Sequence, residues 1–342
     1  MNKKILAVAV SMAMFAGASA AMAGEAEVYG KAHVSIDSAD NGASGAAAKD
    51  SLYMSSNSSR LGVKGAEDLG GGLKAVFQYE TTFDVVDGGS ISGNRNSYVG
   101  LNGGFGTVVA GRHDTPYKTV GRKFDLFGDT VADSRNIIND AGNDLRPGNV
   151  LAWLSNDLGG VKLAVAYVLE DGTKNGSATS VSAIFSQGPL MLAGAYQSVE
   201  KGIWGTADGS TAFRLGAGYK MGAMKVNALY ESDSNAKGVK KQDYTNMGLG
   251  VAYKVGSNSF KAQYYMADAE VNSNKNTANM LALGVDHGFS KNTTIYAVYA
   301  MMNNDKGAKF NLGGSGHGSS ERPASVTGED PTSISVGLIH KF

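Results

Sequence analysis

The chain contains no cysteine, so no disulfide framework holds it, although its N-terminus points to an oxidising compartment where such bridges persist. Proline is nearly as scarce. Pro116, Pro147, Pro189, Pro323 and Pro331 are the five in 342 residues, and all fall between strand-like segments, where a missing N–H costs no ladder hydrogen bond. An excess of charge is lacking too. Lys and Arg number 31, as do Asp and Glu, which removes the basic surplus that a nucleic-acid partner requires. Beyond residue 24 no run approaches the ~18 apolar residues of a membrane-crossing helix. A membrane protein built of strands stays open, because strands need only alternation.

What is present begins with a leader. Asn2-Lys3-Lys4 is a short basic region, Ile5 to Ala18 is an apolar run too short and too rich in small residues to span a bilayer, and Ala21-Met22-Ala23 is an A-x-A cleavage site. Residues 1–23 are expected to be a secretory signal peptide and 24–342 the mature domain. Loss of Lys3 and Lys4 takes the formal charge from +0 to −2.

Period two then runs to the C-terminus. Thr332, Ile334, Val336, Leu338, His340 and Phe342 share one face of the last segment, and Ser333, Ser335, Gly337, Ile339 and Lys341 the other. The same reading gives sixteen candidate strands, at 27–36, 51–66, 72–82, 94–102, 106–112, 149–156, 161–169, 179–186, 190–198, 211–219, 224–230, 244–254, 260–267, 279–286, 293–302 and 332–342. Each pairs a greasy face with a small or polar one. Short Gly-rich connections such as Gly103-Gly104-Phe105 and Met221-Gly222-Ala223 alternate strictly with long ones at 37–50, 83–93, 113–148, 199–210, 231–243 and 303–331. A soluble sandwich has no reason for that asymmetry. A transmembrane antiparallel β-barrel does, with tight periplasmic turns on one rim and long external loops on the other. Closure also removes every unpaired edge, which hydrocarbon does not tolerate.

The polar faces carry Lys31, His33, Lys74, Gln78, Glu80, Arg112, Arg214 and Lys225. Buried in a greasy barrel, such charges would each cost several kcal/mol unless paired; facing an aqueous lumen they cost little. The greasy faces then meet lipid, with Phe77, Tyr79, Tyr98, Tyr167, Tyr219, Tyr253, Phe260 and Phe342 as interfacial girdles.

Several segments resemble the general porins of Gram-negative bacteria, especially the neisserial and β-proteobacterial type. The run 59–78, with Arg60-Leu61-Gly62-Val63-Lys64 and Glu67-Asp68-Leu69-Gly70-Gly71, is similar to that family's second strand, first turn and third strand. Arg95-Asn96-Ser97-Tyr98-Val99-Gly100-Leu101, Gly104-Phe105-Gly106, Gly111-Arg112, Phe124-Asp125-Leu126-Phe127-Gly128-Asp129 and Val336-Gly337-Leu338-Ile339-His340-Lys341-Phe342 follow in the family's order. The resemblance implies an outer-membrane homotrimer of sixteen-stranded barrels, passive diffusion of small hydrophilic solutes and ions, and a third loop folded into the pore. It also implies lipid and lipopolysaccharide as surroundings, and Phe342 as the terminal signal read by the assembly machinery. The bare sequence supports the loop independently. Residues 113–148 form the longest gap between strands, and a gap of that length is usually functional; Phe124, Leu126, Phe127, Ile137 and Ile138 give it apolar anchors.

The candidate working constellation is electrostatic. The loop holds Asp114, Asp125, Asp129, Asp133, Asp140 and Asp144, and the early strands hold Lys31, Arg60, Lys64, Lys74, Arg95 and Arg112. If the loop folds inward, acids and bases face each other across the narrowest point and set up a transverse field there. Lys118, Arg122, Lys123, Arg135 and Arg146 nearly balance the loop's own acids, so a simple acidic, cation-selecting ring is not expected. Catalysis finds little footing: His113 and Asp114 are chain neighbours with no nucleophile in view. No cofactor is indicated, no metal site either, and His317 in the Gly-rich stretch 311–318 reads as an exposed loop imidazole. The rival readings are a substrate-specific outer-membrane channel and a non-conducting structural or adhesive barrel.

Overall fold

Alternation of apolar and polar residues, punctuated by Gly-rich turns, folds the chain into antiparallel strands. The computed structural model describes residues 24–342 apart from 89–90, 94, 139–141, 171–175, 203–206, 272–273, 315 and 319–320. The expected leader, 1–23, lies outside the described residues, as does Asp140.

Strand β1 is Glu25–Asp40, and β2 runs in two pieces, Asp50–Ser56 and Arg60–Gly70. There follow β3 Leu73–Thr82, β4 Ser97–Gly103, β5 Gly106–Arg112, β6 Val150–Leu154, β7 Val161–Val168, β8 Ala178–Gln187 and β9 Leu190–Val199. The remainder are β10 Ser210–Met221, β11 Met224–Ser234, β12 Gln242–Val255, β13 Asn258–Val271, β14 Asn274–Gly288, β15 Thr293–Asn304 and β16 Thr332–Lys341. The two pieces of β2 pair with successive halves of β1, Tyr53 opposite Asp37 and Val63 opposite Val28. Residues 57–59 interrupt the ladder between them, with Ser58 in the left-handed region at φ 49°. The sheet closes where β1 pairs antiparallel with β16, Lys31 opposite Lys341. Gly30 and Phe342 extend that seam: Gly30 N–H donates to the Phe342 carbonyl (2.9 Å) and Phe342 N–H to the Gly30 carbonyl (3.2 Å). The result is a closed sixteen-stranded barrel, and each of the sixteen segments read from the sequence has its counterpart.

Two readings are corrected. Residues 268–271 and 274–278, which fall between the expected strands 260–267 and 279–286, are strand: β13 and β14 stay paired out to Val271 opposite Asn274, so long and short connections do not alternate strictly. Tyr98 does not join the lipid-facing girdle. Its neighbours Val99 and Leu101 face outward, and its hydroxyl donates to Gln78 Oε1 inside the barrel (2.9 Å). Phe77, Tyr79, Tyr167, Tyr219, Tyr253, Phe260 and Phe342 do lie exposed on the outer surface, with Leu249, Ile334, Val336 and Leu338. Among the described residues no helix is long and apolar enough to cross a membrane.

The connection between β5 and β6 carries helices α1, Pro116–Phe124, and α2, Arg135–Ile138. Thr115 caps α1 by accepting the Lys118 N–H (3.3 Å), and Pro116 occupies the first turn, where its missing N–H costs nothing. Tyr117, Val120, Gly121 and Phe124 repeat at helical spacing and are buried, while Thr119, Arg122 and Lys123 stay exposed. That buried stripe packs, together with Phe127, Ile137 and Ile138, on the inner faces of β9–β15 through Ala195, Ala212, Leu229, Tyr265, Met280 and Ala282. The third loop therefore folds inside the barrel.

Candidate functional site

A track of glycines on the inner wall receives the loop. Gly216 of β10 lies beneath the Phe124 ring, Gly250 of β12 beneath Leu126, and Gly284 of β14 beneath Phe127. A Cβ at any of the three would collide with the side chain above it; the wall must be bare there for the loop to approach. Wall amides and one ammonium then satisfy the loop backbone. Asn227 Nδ2 donates to the Phe124 carbonyl (3.2 Å), Gln263 Nε2 to the Ala132 carbonyl (2.7 Å) and Lys261 Nζ to the Leu126 carbonyl (2.9 Å). These bonds answer the demand that buried backbone groups be paired.

A second attachment is ionic. Arg214 of β10 is fully buried. Its Nη1 donates to Asp144 of the loop (2.8 Å) and to the Tyr117 carbonyl (3.2 Å), its Nε to Glu231 of β11 (2.6 Å), and its guanidinium stacks over the Tyr117 ring at 4.1 Å. Tyr117 Oη donates to Asp233 Oδ1 (3.2 Å), which also accepts from Asn143 Nδ2 (2.8 Å).

On the opposite side the loop meets β1 through Asp129. Lys31 Nζ donates to Asp129 Oδ2 at 2.8 Å, with Arg122 at 3.6 Å and Arg135 at 3.1 Å. Burial works against the Asp129 carboxylate, but these three cations outweigh it and hold its pKa far below the usual carboxylate range. Next to this cluster Glu80 of β3 accepts from Arg95 and faces Arg60 at 3.6 Å. Acids and bases thus meet in direct contact at the loop rather than across an open gap.

The remaining expected residues are distributed around this centre. Asp133 sits wholly buried on Arg135, whose Nη2 donates to Oδ2 at 2.5 Å. Asp125 turns back to its own loop, accepting the Phe127 N–H (2.9 Å) and the Ser134 N–H (3.3 Å); burial, with Asp133 adding, pushes its pKa up to about 7. Asp114 lies at the loop's root between Lys118 (3.0 Å) and Arg146 (2.8 Å). Burial opposes its ionisation, yet the two cations bring the pKa down to about 2. Arg112 also braces the root, donating to the Arg146 carbonyl (2.8 Å). Lys64 and Lys74 stand nearer the short-turn rim, Lys64 paired with Glu27 at 3.3 Å, and take no part in the Asp129 cluster.

The sequence reading did not single out the Arg214–Asp144–Glu231 attachment, the glycine track, or Glu80 as partner of Arg60 and Arg95. Parity placed Arg214 and Glu80 on the inner face; only the tertiary contact shows what each meets. His317 is corrected outright. It is buried at 5 % exposure, with Nε2 3.0 Å from Asp37 Oδ2 of β1.

Comparison with known proteins agrees with this architecture. The profile of the Gram-negative porin family matches residues 7–307. The chain is 29 % identical over 353 residues to outer membrane porin protein 32 of Delftia acidovorans, covering 97 % of this chain and 99 % of that one. It is 51 % identical over 63 residues to the major outer membrane protein P.IB of Neisseria gonorrhoeae, 18 % of either chain. An anion-selective porin from Comamonas acidovorans superposes with a TM-score of 0.80 at 26 % identity, covering 94 % of this chain and 100 % of that one.

Proposed function

This chain belongs to the Gram-negative porin family, and from that premise we propose that the cluster of Lys31, Arg60, Arg95, Arg122 and Arg135 with Glu80, Asp129 and Asp133 is the constriction of its diffusion channel. The protein is an outer-membrane β-barrel pore for small hydrophilic solutes and ions, as its full-length relative is an outer membrane porin. The observation that carries the constriction is the inward loop: one flank is bound to β10–β14 and its tip meets Lys31 of β1, so solute must pass its charged edge.

Five bases stand against three acids in that cluster, and this surplus of two supports a preference for anions. The anion-selective Comamonas porin, similar along nearly the whole chain, supports the same reading. Asp114 and Arg112 act at the loop's root, Asp125 inside the loop, and Lys64 and Lys74 as a basic approach on the periplasmic side. The chain works as a homotrimer embedded among lipid and lipopolysaccharide, a reading supported by a trimer form of Vibrio cholerae OmpT with the same fold. Residues 1–23 are its export signal. Phe342, at the closing seam, is read by the assembly machinery. The chain has no catalytic role and no cofactor.

Planar-bilayer recording of the purified protein under a KCl gradient tests this reading. Discrete conductance steps with a reversal potential on the anion side are expected. A protein that inserts without conducting, or one that favours cations, would contradict it.

A further inference from the structure

The connection between β15 and β16, residues 305–331, also turns into the barrel and ends on the third loop. Gly313 N–H donates to the Val131 carbonyl (3.0 Å) and Gly314 N–H to Asn136 Oδ1 (2.9 Å). Gly316, at φ +79°, leaves no room for a Cβ beside the Arg135 guanidinium and the Asp129 carboxylate. On its other side the same stretch is tied to the wall. Ser58 Oγ donates to the Gly316 carbonyl (2.9 Å), and Gly318 N–H to Asn57 Oδ1 (3.1 Å). Between these ties the His317 imidazole, with no solvent-exposed side-chain surface, meets Asp37 at 3.0 Å.

A stretch containing Gly313, Gly314, Gly316 and Gly318 has little intrinsic reason to hold one conformation, since glycine loses more freedom on ordering than any other residue. His317 is the one large side chain between Gly316 and Gly318, and it is the part that enters the wall. The groups around it are numerous and specific. Asp37 accepts Ser35 Oγ–H (2.9 Å), Ser35 accepts Asn57 Nδ2–H (2.8 Å), and the Tyr53 ring stands edge-on at 6.4 Å. His33 and Tyr296 continue the polar wall behind, bonded to each other at 2.9 Å. Arg322, of the same connection, donates to the Leu312 carbonyl (2.9 Å) and packs against Gly313 and Gly314.

We propose that His317 is a positioning residue for the constriction: seated on Asp37, it presses Gly313, Gly314 and Gly316 against the third loop and sets where Arg135 and Asp129 stand in the lumen. The inference rests on the proposed constriction and deepens it. Arg135 and Asp129 are held from below by the loop's own contacts and by Lys31; Gly316 stands against them from the other side, and His317, its chain neighbour, anchors Gly316 to the wall. Without it the tip keeps its ion pairs and loses its roof.

The test uses the full-length protein in planar bilayers, after folding is checked by heat-modifiability. Arg122→Gln, recorded in parallel, reports on the constriction itself through its reversal potential, so failure of that reading is seen separately. His317→Ala is expected to raise conductance about 1.5-fold, increase open-channel noise and move the reversal potential. His317→Gln, whose amide can still donate to Asp37, is expected to restore all three. Gly316→Ala leaves His317 on Asp37 while crowding Arg135, and is expected to move the reversal potential; it serves also if His317→Ala does not fold. Wild-type behaviour of His317→Ala would overturn the proposal, as would equal changes in the Ala and Gln variants. An unmoved reversal potential in folded Gly316→Ala would overturn it too.

Discussion

Arg214 on the barrel wall and Asp144 on the third loop meet at 2.8 Å with both side chains shut away from solvent. A buried pair of this kind is weak support for net stability, because desolvation consumes much of the Coulombic gain, but removing one partner strands the others. Here Arg214→Ala would take from Asp144 and Glu231 the buried guanidinium that both of them bind, at a cost of about 3–5 kcal/mol. Detergent-solubilised protein should melt earlier, and single channels should become noisier as the loop's root loosens. A variant with the wild-type melting temperature and quiet channels would show that the loop does not depend on this attachment.

How much of this was legible beforehand follows from what each feature depends on. The strands were readable because lipid and water impose opposite demands on alternate residues, so Ile334, Val336 and Leu338 announce their face without any partner. The inward loop was readable from Phe124, Phe127, Ile137 and Ile138, apolar residues too closely spaced for a surface excursion. Its partners were not. Gly216, Gly250 and Gly284 signal only the absence of a side chain, and no local pattern links them to the Phe124, Leu126 and Phe127 side chains more than ninety residues away. His317 failed for the same reason: among glycines it looks solvated, and only the return of the connection to Asp37 buries it.

The charges of the constriction give opposing expectations for selectivity. Replacing Arg60 and Arg95 by Gln removes positive charge from the lumen wall, and the reversal potential in a KCl gradient should move toward cations, with a permeability ratio changed about two-fold. Glu80→Gln should move it the other way, since Glu80 is the acid that offsets those two bases. Both shifts should shrink in 1 M salt, where the Debye length is about 3 Å. Shifts of the same sign in both variants would refute the assignment of Glu80.

Acidity should grip the loop within a window. Asp125 has its pKa raised by burial and by Asp133 to about 7, against ~3.9 in an unfolded chain. The folded loop therefore binds this proton more tightly; the stabilisation is full below about pH 4 and is lost as pH rises through 7. Asp114 runs oppositely. Its pKa is about 2 despite burial, lowered by Lys118 and Arg146, so its contribution holds above about pH 4 and is lost as pH falls through 2. The loop should be tightest at about pH 4 and loosen on either side, toward pH 7 as the Asp125 contribution is lost and toward pH 2 as that of Asp114 is. Asp125→Asn should remove the alkaline limb of the noise-against-pH curve. Persistence of that limb in the variant would exclude Asp125 as its source.

The two faces of the barrel should respond differently to the same charge. Leu249 lies on the outer face of β12 at 65 % exposure, where hydrocarbon surrounds it, and Leu249→Arg should cost about 2–4 kcal/mol near the midplane. Thr119 is exposed on the lumen side of α1, and Thr119→Arg should stay within about 0.5 kcal/mol. Unfolding in lipid vesicles by denaturant measures both. Equal penalties would mean that Leu249 and Thr119 share one environment, which would overturn the assignment of Leu249 to the lipid-facing surface.

Excising residues 125–140 tests the loop as a whole. The ladder on either side does not depend on it: β5 and β6 pair directly, Thr107 opposite Leu154 through Gly111 opposite Val150, and the seam between β1 and β16 lies elsewhere. The shortened chain should still close. It would lose the burial of Phe127, Ile137 and Ile138, at about 1.5–3 kcal/mol each, so its melting temperature should fall. With Asp129, Asp133 and Arg135 gone, Lys31 would lose its partner and face water, while Arg60 and Arg95 would keep Glu80. Of the constriction's charges four bases, Lys31, Arg60, Arg95 and Arg122, would then remain against one acid, Glu80, so the anion preference should survive in sign. Without the loop across the lumen, conductance should rise. If the shortened barrel assembles and conducts like the intact protein, the loop does not bound the channel and the constriction lies elsewhere.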